Sequence, residues 1–559
     1  MLLVVAACSP SAEPSLPTNT EIGGGSTTST APGSTGNTGS IVPGGDGITC
    51  WTAPAPTGVE GISFSDQTEE LGLIEPFVGM HGHAAVWADL DDDLRPDLYM
   101  GTFADRDPEN YQLRGAAGPS PDRLVLSGSG TFQVANDLPD MFTRTSGGAV
   151  ADLDGDGDLD LVVSRNYDDD NPDAPATQVL RNDAGVMVPV EITALPDGFG
   201  GRSVGVLDYD QDGLYDLFIA EDRFSGGSSV LLRNLGDLGF EDATAAAGIP
   251  TGVHGLGVAV ADLTGNGFAD IFVAGSNRLF VATGDGSFVE ADSSLFEWEV
   301  FSEEDDVAGV SVADVNRDGL LDLALGHHYN STVEDGLSVA VRLYLNRGPD
   351  GNGMPTFEDV TEAAGLVPLP TKAPHVELND LDNDGWPDLL TTASAGEGTL
   401  PAVFRFQELA GDVPVFSTPE GLGSKQYWVA GPTTDYDRDG RLDIFLVEWE
   451  PSLPSLLLRN ESAGGHWLEV SVDGSEGHGI GWLVEVFEGD STDPASLLGA
   501  REITVTQGYS AGVLPFAHFG LGEQTEVTVR LTPPGGAEPV VLDGVTADQH
   551  LRFPQGCGS

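Results

Sequence analysis

Between Ile62 and Asn460 the chain repeats one pattern, in which a short apolar run gives way to a tight polar stretch and then to a second apolar run. The segment GGAVADLDGDGDLDLVVSRN, residues 147–166, is a clear copy. Apolar runs this short, bounded by Gly, Asn and Asp, predict β-strands joined by turns rather than helices. In the second unit the strands fall near GGAVAD, LDLVVSR, TQVLRN and VMVPVEIT; in the third, near SVGVLD, DLFIAED, SVLLRN and GFEDAT. Residues 464–555 instead alternate apolar and polar positions over several runs, which predicts a small separate β-sandwich. Residues 9–49 are Ser, Thr, Gly and Pro with almost no large apolar side chain, a composition expected of a flexible tether.

The polar stretch is the repeat's signature. It occurs seven times, as DLDDDLRPD, DLDGDGDLD, DYDQDGLYD, DLTGNGFAD, DVNRDGLLD, DLDNDGWPD and DYDRDGRLD, with starts separated by 63, 56, 54, 52, 66 and 55 residues. That period suits a propeller blade. Oxygens at positions 1, 3 and 5 of a tight turn converge on one point, and glycine at position 6 permits the reversal. Hard oxygen ligands select calcium. An EF-hand would place Glu at position 12, but Met100, Val163, Ile219, Val273, Leu325, Thr391 and Leu446 stand there, so the last ligand is the position-9 aspartate.

The candidate ligands are Asp89, Asp91, Asp93 and Asp97 in loop one, Asp152, Asp154, Asp156 and Asp160 in loop two, and Asp208, Asp210, Asp212 and Asp216 in loop three. Loop four offers Asp262, Thr264, Asn266 and Asp270; loop five, Asp314, Asn316, Asp318 and Asp322. Loop six offers Asp380, Asp382, Asp384 and Asp388, and loop seven Asp435, Asp437, Asp439 and Asp443. Up to seven Ca²⁺ ions are expected. Loop four, with two carboxylates, should bind most weakly, and Leu94 at the glycine position of loop one predicts altered geometry there.

Six units end in a fourth-strand segment, such as TFQVAND or PTFEDVT, but the seventh passes from LLLRN directly into the C-terminal region. The missing segment is ISFSDQT at Ile62–Thr68. A strand from the N-terminal side that completes the last blade would close the ring and remove its exposed edges. The expected architecture is all-β: a seven-bladed propeller over 58–461 and a β domain over 464–555.

These loops resemble the FG-GAP/VCBS repeats of integrin α-subunit propellers and of many exported bacterial proteins. The segments LLRNLGDLGFEDATAAAGI and LYLNRGPDGNGMPTFEDVTEAAGL are similar to the inter-loop signature of bacterial relatives of cartilage acidic protein. GGHWLEVSVDG, GIGWLVEV, REITVTQGYSAG and AHFGLGEQTEVTVRL resemble the ASPIC/UnbV domain that accompanies such propellers. The resemblance implies an extracellular calcium-binding, adhesion-like or scaffold protein with no assigned reaction.

Charge narrows the partners. With 23 Lys plus Arg against 89 Asp plus Glu the formal net charge is −66, which repels nucleic acid and bare anionic membrane. MLLVVAAC at residues 1–8 resembles a lipobox, with Cys8 as the lipidated residue, so contact with a membrane is expected only through that anchor. Cys50 and Cys557 then remain as a pair bracketing the folded region, either joined in an oxidising compartment or two unrelated thiols. No stretch beyond the leader reaches the 18 uninterrupted apolar residues of a membrane helix.

Gly508–Gly512 matches the G-x-S-x-G nucleophile elbow, but no strand-to-helix alternation surrounds it, so it carries no catalytic expectation. The favoured class is an exported or cell-surface module that binds a protein or glycan. The alternatives are a structural component of the envelope and, less favoured, a polysaccharide-acting enzyme. Counting back from each first ligand places His83, Arg202, His254, His375, Tyr427 and Trp428 at the channel mouth opposite the loops. They are read there either as a site for an anionic glycan or acidic peptide, or as caps on strand ends.

Overall fold

The computed structural model describes residues 47–554, apart from 129, 136–137, 168–175, 224–225, 395–399, 423–426 and 474–477. Cys8, Cys557 and nearly all of the 9–49 segment lie outside the described residues. The protein is all-β. Among the described residues seven sheets follow one another along the chain, six of four strands and the first of six, since a hairpin from the C-terminal region joins it. In the second the strands are Thr145–Ala151, Asp160–Arg165, Gln178–Asp183 and Val186–Glu191, and each pairs antiparallel with the next. The first two strands of this blade and of blades one, three and seven are buried along their whole length, because neighbouring blades cover both faces. Hence they read as apolar runs and not as alternation.

Hydrogen bonds between neighbouring blades, made at or near their first strands, join the ring. Ser146 Oγ donates to the Gly201 carbonyl at 2.6 Å, Ser203 Oγ to that of Leu256 at 2.8 Å, and the Gly309 N–H to that of Pro374 at 2.8 Å. Between the seventh and first blades, the Gly82 N–H donates to the Glu448 carbonyl at 3.0 Å. Small residues are required here, since a Cβ on Gly257 would run into the Ala308 carbonyl of the next blade.

The last blade is built from both sides of the repeat region. Strand Phe64–Asp66 pairs with Leu456–Asn460, Phe64 opposite Asn460, outside Asp443–Leu446 and Thr433–Thr434. Blade six departs from the pattern, with an extra hairpin, Phe406–Ala410 and Val413–Phe416, before its short outer strand Glu420–Gly421.

The C-terminal region forms two further sheets of four strands. One comprises Leu497–Glu502, Leu483–Glu488, Glu526–Thr532 and Val540–Thr546; the other comprises Gln549–Phe553, His466–Val472, Ala517–Gly522 and Ile48–Thr52. Their inner faces share one apolar core, including Leu468, Val486, Phe519 and Val529. Residues 48 and 49, which composition groups with the tether, thus belong to this sheet: Ile48 and Thr49 are exposed and enter it through backbone pairing with Arg552 and Leu551, which composition does not reveal. Trp51 lies 4.9 Å from the Trp467 ring, centroid to centroid.

One excursion leaves the sandwich. After Glu502 the chain enters the propeller as a short hairpin, Thr506–Gln507 and Ala511–Gly512, whose second strand pairs in parallel with Ala85–Val86 of blade one. Gly508 and Val310 exchange backbone hydrogen bonds at 2.8 and 3.1 Å, and the Ala85 N–H donates to the Ser510 carbonyl at 3.2 Å. This hairpin plugs the channel. It is the GYSAG segment, held by packing and strand pairing, with Ser510 only 1% exposed.

Candidate metal loops and channel mouth

All seven loops are wound identically. Asp89, Asp152, Asp208, Asp262, Asp314, Asp380 and Asp435 each accept the backbone N–H groups of positions 5 and 6 at 2.7–3.2 Å. Position 5 accepts the N–H of position 7 through an Asx turn, as from Arg95 to Asp93 and from Trp386 to Asp384. The position-9 aspartates are fully buried. One oxygen takes the N–H of position 2 and the other an N–H of the third strand, as Asp443 does with Tyr436 at 3.2 Å and Asn460 at 2.7 Å. These carboxylates therefore clamp loop to sheet whatever else they bind.

Loop one corrects the expectation of altered geometry. Leu94 adopts φ 65°, close to the 82–100° of its six glycine counterparts, and its N–H reaches Asp89 at 2.9 Å. The left-handed region costs a non-glycine residue about 1 kcal/mol. Leu94→Gly is accordingly expected to raise stability by about that amount, read as a shift in the urea midpoint at unchanged slope.

Carboxylate oxygens of positions 1, 3 and 9 lie within 4.8 Å of one another in loops one, two, three, six and seven: Asp89, Asp91 and Asp97; Asp152, Asp154 and Asp160; Asp208, Asp210 and Asp216; Asp380, Asp382 and Asp388; Asp435, Asp437 and Asp443. Loops four and five lack such a triplet because Thr264 and Asn316 occupy position 3. The position-5 residues stand outside these groups.

The donor set fits a hard cation. Buried Oδ1 atoms of Asp154, Asp210, Asp382 and Asp437, all at position 3, meet no hydrogen-bond donor. Burial, reinforced by Asp92 and Asp93, pushes Asp89 up to about 7, and burial pushes Asp97 and Asp216 up to about 8. Arginines of the third strands offset part of the charge from the rim. Arg233 reaches Asp210 at 2.6 Å and Asp212 at 2.9 Å; Arg459 reaches Asp437 at 2.6 Å and Asp439 at 2.8 Å; Arg405 reaches Asp382 at 2.5 Å.

At the opposite mouth a cavity of about 430 Å³ opens where the first strands begin. His83, Arg202 and Tyr427 line it together, joined by His328, Lys372, Asp306, Trp449 and Tyr509. Tyr427 Oη and His328 Nε2 are 2.8 Å apart, and Tyr509 Oη lies 3.3 Å from His83 Nε2. The ring of His83 stacks on Phe103 at 4.3 Å. Desolvation holds both imidazoles well below their ordinary range, so they are neutral hydrogen-bonding groups.

Three residues counted to this mouth lie elsewhere. Trp428 is fully buried in an apolar cluster, because strand alternation turns it away when Tyr427 faces the opening. His375 is buried beneath the plug, its Nδ1 accepting the Tyr509 N–H at 3.1 Å. His254 is not among the lining residues. Nor is the mouth a cationic ring: Arg202 is held by Asp222 at 2.9 Å, and Glu304 and Asp306 share the rim.

A family model described as an FG-GAP-like repeat matches residues 208–273, from loop three into the second strand of blade four. Cartilage acidic protein 1 of Homo sapiens is 28% identical over 356 residues, covering 60% of this chain and 51% of that protein. The Xenopus tropicalis protein of the same name is 29% identical over 364 residues, covering 60% and 52%. The chain thus carries an FG-GAP-like repeat over residues 208–273 and is similar to cartilage acidic protein 1 over about 60% of its length. It spans about half the length of the curated relatives it matches. Among solved structures, that of BBS1N in complex with ARL6DN has a TM-score of 0.40 at 13% identity, covering 75% of this chain and 99% of that one. The exotype rhamnogalacturonan lyase YesX has a TM-score of 0.37 at 13% identity, covering 74% and 75%.

The protein also uses residues that the ligand pattern does not single out. Asn182, Asn234, Asn346 and Asn460 stand on the third strands of four blades, and each Nδ2 donates to a position-2 carbonyl in the preceding blade's loop: Leu90, Leu153, Leu263 and Leu381, at 2.7–2.9 Å. The recurring LRN, LLRN and LYLN in the sequence are their signal. From the sandwich, Glu502 Oε2 accepts the N–H of Asp262 at 2.7 Å, placing a half-buried carboxylate beside the carboxylate-poor loop four. Among the described residues no helix is long and apolar enough to cross a membrane.

Proposed function

We propose that the protein is an exported calcium-binding propeller that acts as a ligand-binding or adhesion module, with a protein or glycan ligand entering at the channel mouth. The observation that supports this reading most is the plug, which turns an open channel into a cup with aromatic and polar walls at one end. A cavity near 430 Å³ falls in the range of small-ligand sites, and Trp449, Tyr427 and Tyr509 offer ring faces beside hydrogen-bonding His83, His328 and Asp306. At the other end, positions 1, 3 and 9 of loops one, two, three, six and seven would hold Ca²⁺, with position 9 also bracing each loop against its sheet. The mixed charge of the mouth favours a hydroxyl-rich glycan over a strongly acidic peptide.

Export agrees with Cys50, which is disulfide-bonded. Its called partner, Cys557, and the anchor cysteine, Cys8, lie outside the described residues.

The test is a glycan array probed with the calcium-loaded protein and with a His83→Ala/Tyr427→Ala/Trp449→Ala variant. Binding that the triple substitution abolishes, while the calcium-loaded melting temperature stays high, is the expected result. Binding that survives it would move recognition away from the mouth.

A further inference from the structure

The sandwich rests on the backbone of loops six and seven. The Gly522 N–H donates to the carbonyl of Asn383 at 3.0 Å, and His518 Nε2 lies 3.0 Å from Asn383 Oδ1. Asn383 is position 4 of loop six, in the left-handed conformation at φ 53°, and its Nδ2 donates to the Gly440 carbonyl of loop seven at 2.8 Å. A Cβ on Gly440 would run into the Trp467 indole, and one on Gly520 into the carboxylate of Asp380, the first ligand of loop six. Strands His466–Val472 and Ala517–Gly522 therefore fit these loops only in their wound form.

That form gathers eight aspartates, four per loop; from the sandwich Glu469, 2% exposed, adds its field at Asp435 and is itself faced by His550 Nδ1 at 3.1 Å and His518 Nδ1 at 3.5 Å. Arg405, Arg441 and Arg459 answer part of this charge from the rim. The Oδ1 of Asp382, a residue 4% exposed, has no donor at all, which leaves a cation as its natural partner. The same sandwich carries the plug. Only Ile503–Val505 separate strand Leu497–Glu502 from the hairpin whose Tyr509 floors the mouth.

We propose that metal in loops six and seven controls the binding site at the far mouth: loaded loops dock the sandwich and hold the plug in the channel, and emptied loops release it, withdrawing Tyr509 from the pocket. The inference rests on the calcium and mouth readings above, and it gives the sandwich a role as transmitter between two ends of the channel. It needs no change within the blades. The two states are docked and undocked, each stabilised by differential contact with the loops.

Three amides report the state directly: Ala85 and Val310, which donate to plug carbonyls, and Gly508, which donates back to Val310. Hydrogen exchange is measured on the full chain in millimolar calcium, for the wild type and for Asp382→Asn/Asp437→Asn, with calcium content determined on the same samples. The expected result is that the variant loses calcium and that these three amides exchange about tenfold faster or more, while second-strand amides of blades two to four keep their protection. A variant that has lost calcium but protects all three amides as the wild type does would overturn the coupling while leaving the calcium reading intact. Wild-type calcium content in the variant would overturn both. Should the variant be insoluble, stepwise chelation of the wild type reads the same amides, and loss of their protection only together with that of the blades overturns the proposal.

Discussion

Chelation of calcium is expected to lower the melting temperature by about 7 °C at pH 7.5, and to reverse the sign of its pH dependence. Extracellular sites of this kind bind at roughly 10⁻⁴ to 10⁻³ M, so about 5 mM calcium stabilises each occupied site by about 1.4 kcal/mol. Five carboxylate triplets then supply about 7 kcal/mol, and a domain of this size has a melting entropy on the order of 1 kcal/mol/K. Burial pushes Asp97 and Asp216 up to about 8 in the folded protein, and Asp89 and Asp160 up to about 7, against about 3.9 for an unfolded aspartate. A raised folded value means that the native state holds protons the unfolded chain has released. The associated stability is complete below about pH 4 and is lost as pH rises through about 7 to 8. The chelated protein should therefore melt at a lower temperature at pH 8 than at pH 5. With calcium present the cation replaces those protons, and the melting temperature should rise across the same interval. Calorimetric scans at several pH values in calcium and in chelator check both signs. Coincident curves in the two buffers would remove calcium from the folding equilibrium.

Asn460→Ala is expected to cost about 3 kcal/mol in the calcium-loaded protein. The side chain is fully buried, donates to the Leu381 carbonyl at 2.7 Å and the Leu442 carbonyl at 3.0 Å, and accepts the Ser462 N–H at 3.0 Å. Alanine abandons two carbonyls and one N–H in a dry interface, each costing about 1 kcal/mol or more. The joint it removes lies between blades six and seven, where the first strand of the last blade is only Thr433–Thr434 and contributes little ladder of its own. Urea denaturation in saturating calcium provides the measurement. A loss below about 0.5 kcal/mol, the range of a neutral surface change, would show the staple to be dispensable.

The parts of the structure that could be read from the sequence are those with local causes. Nine consecutive residues suffice to wind a loop on its first aspartate, so each copy from Asp89 to Asp435 announces itself. The closing role of Ile62–Thr68 was legible by subtraction, since one blade lacked a strand and one spare strand existed. The mouth was harder. Counting back from a loop gives a level along the channel but not a facing, and one residue decides it: Tyr427 opens on the cavity while Trp428 points into the core. His375 was out of reach because a hairpin more than a hundred residues away covers it. The identical winding of loop one was hidden by residue type, as leucine at a left-handed position reads as disruption until the surrounding hydrogen bonds are seen to impose it. The position-9 clamp was hidden by chemistry, because an aspartate that accepts two N–H groups and one that binds a cation look the same in a sequence.

The pairing of Phe64 with Asn460, and of Ile48 with Arg552, places the two ends of the described chain side by side in both domains. A ribosome therefore releases this polypeptide in an order that defers its decisive contacts. Six blades are complete in sequence before the seventh can be shut, and the sandwich cannot form until the last strand, Gln549–Phe553, has emerged beside a segment made some five hundred residues earlier. Such long-range closure is slow, and the waiting intermediate exposes unpaired strand edges. Under the export reading proposed above, secretion before closure, followed by folding where calcium is abundant, would turn that delay into an advantage: the chain would stay threadable while it crosses a membrane and lock only on the far side.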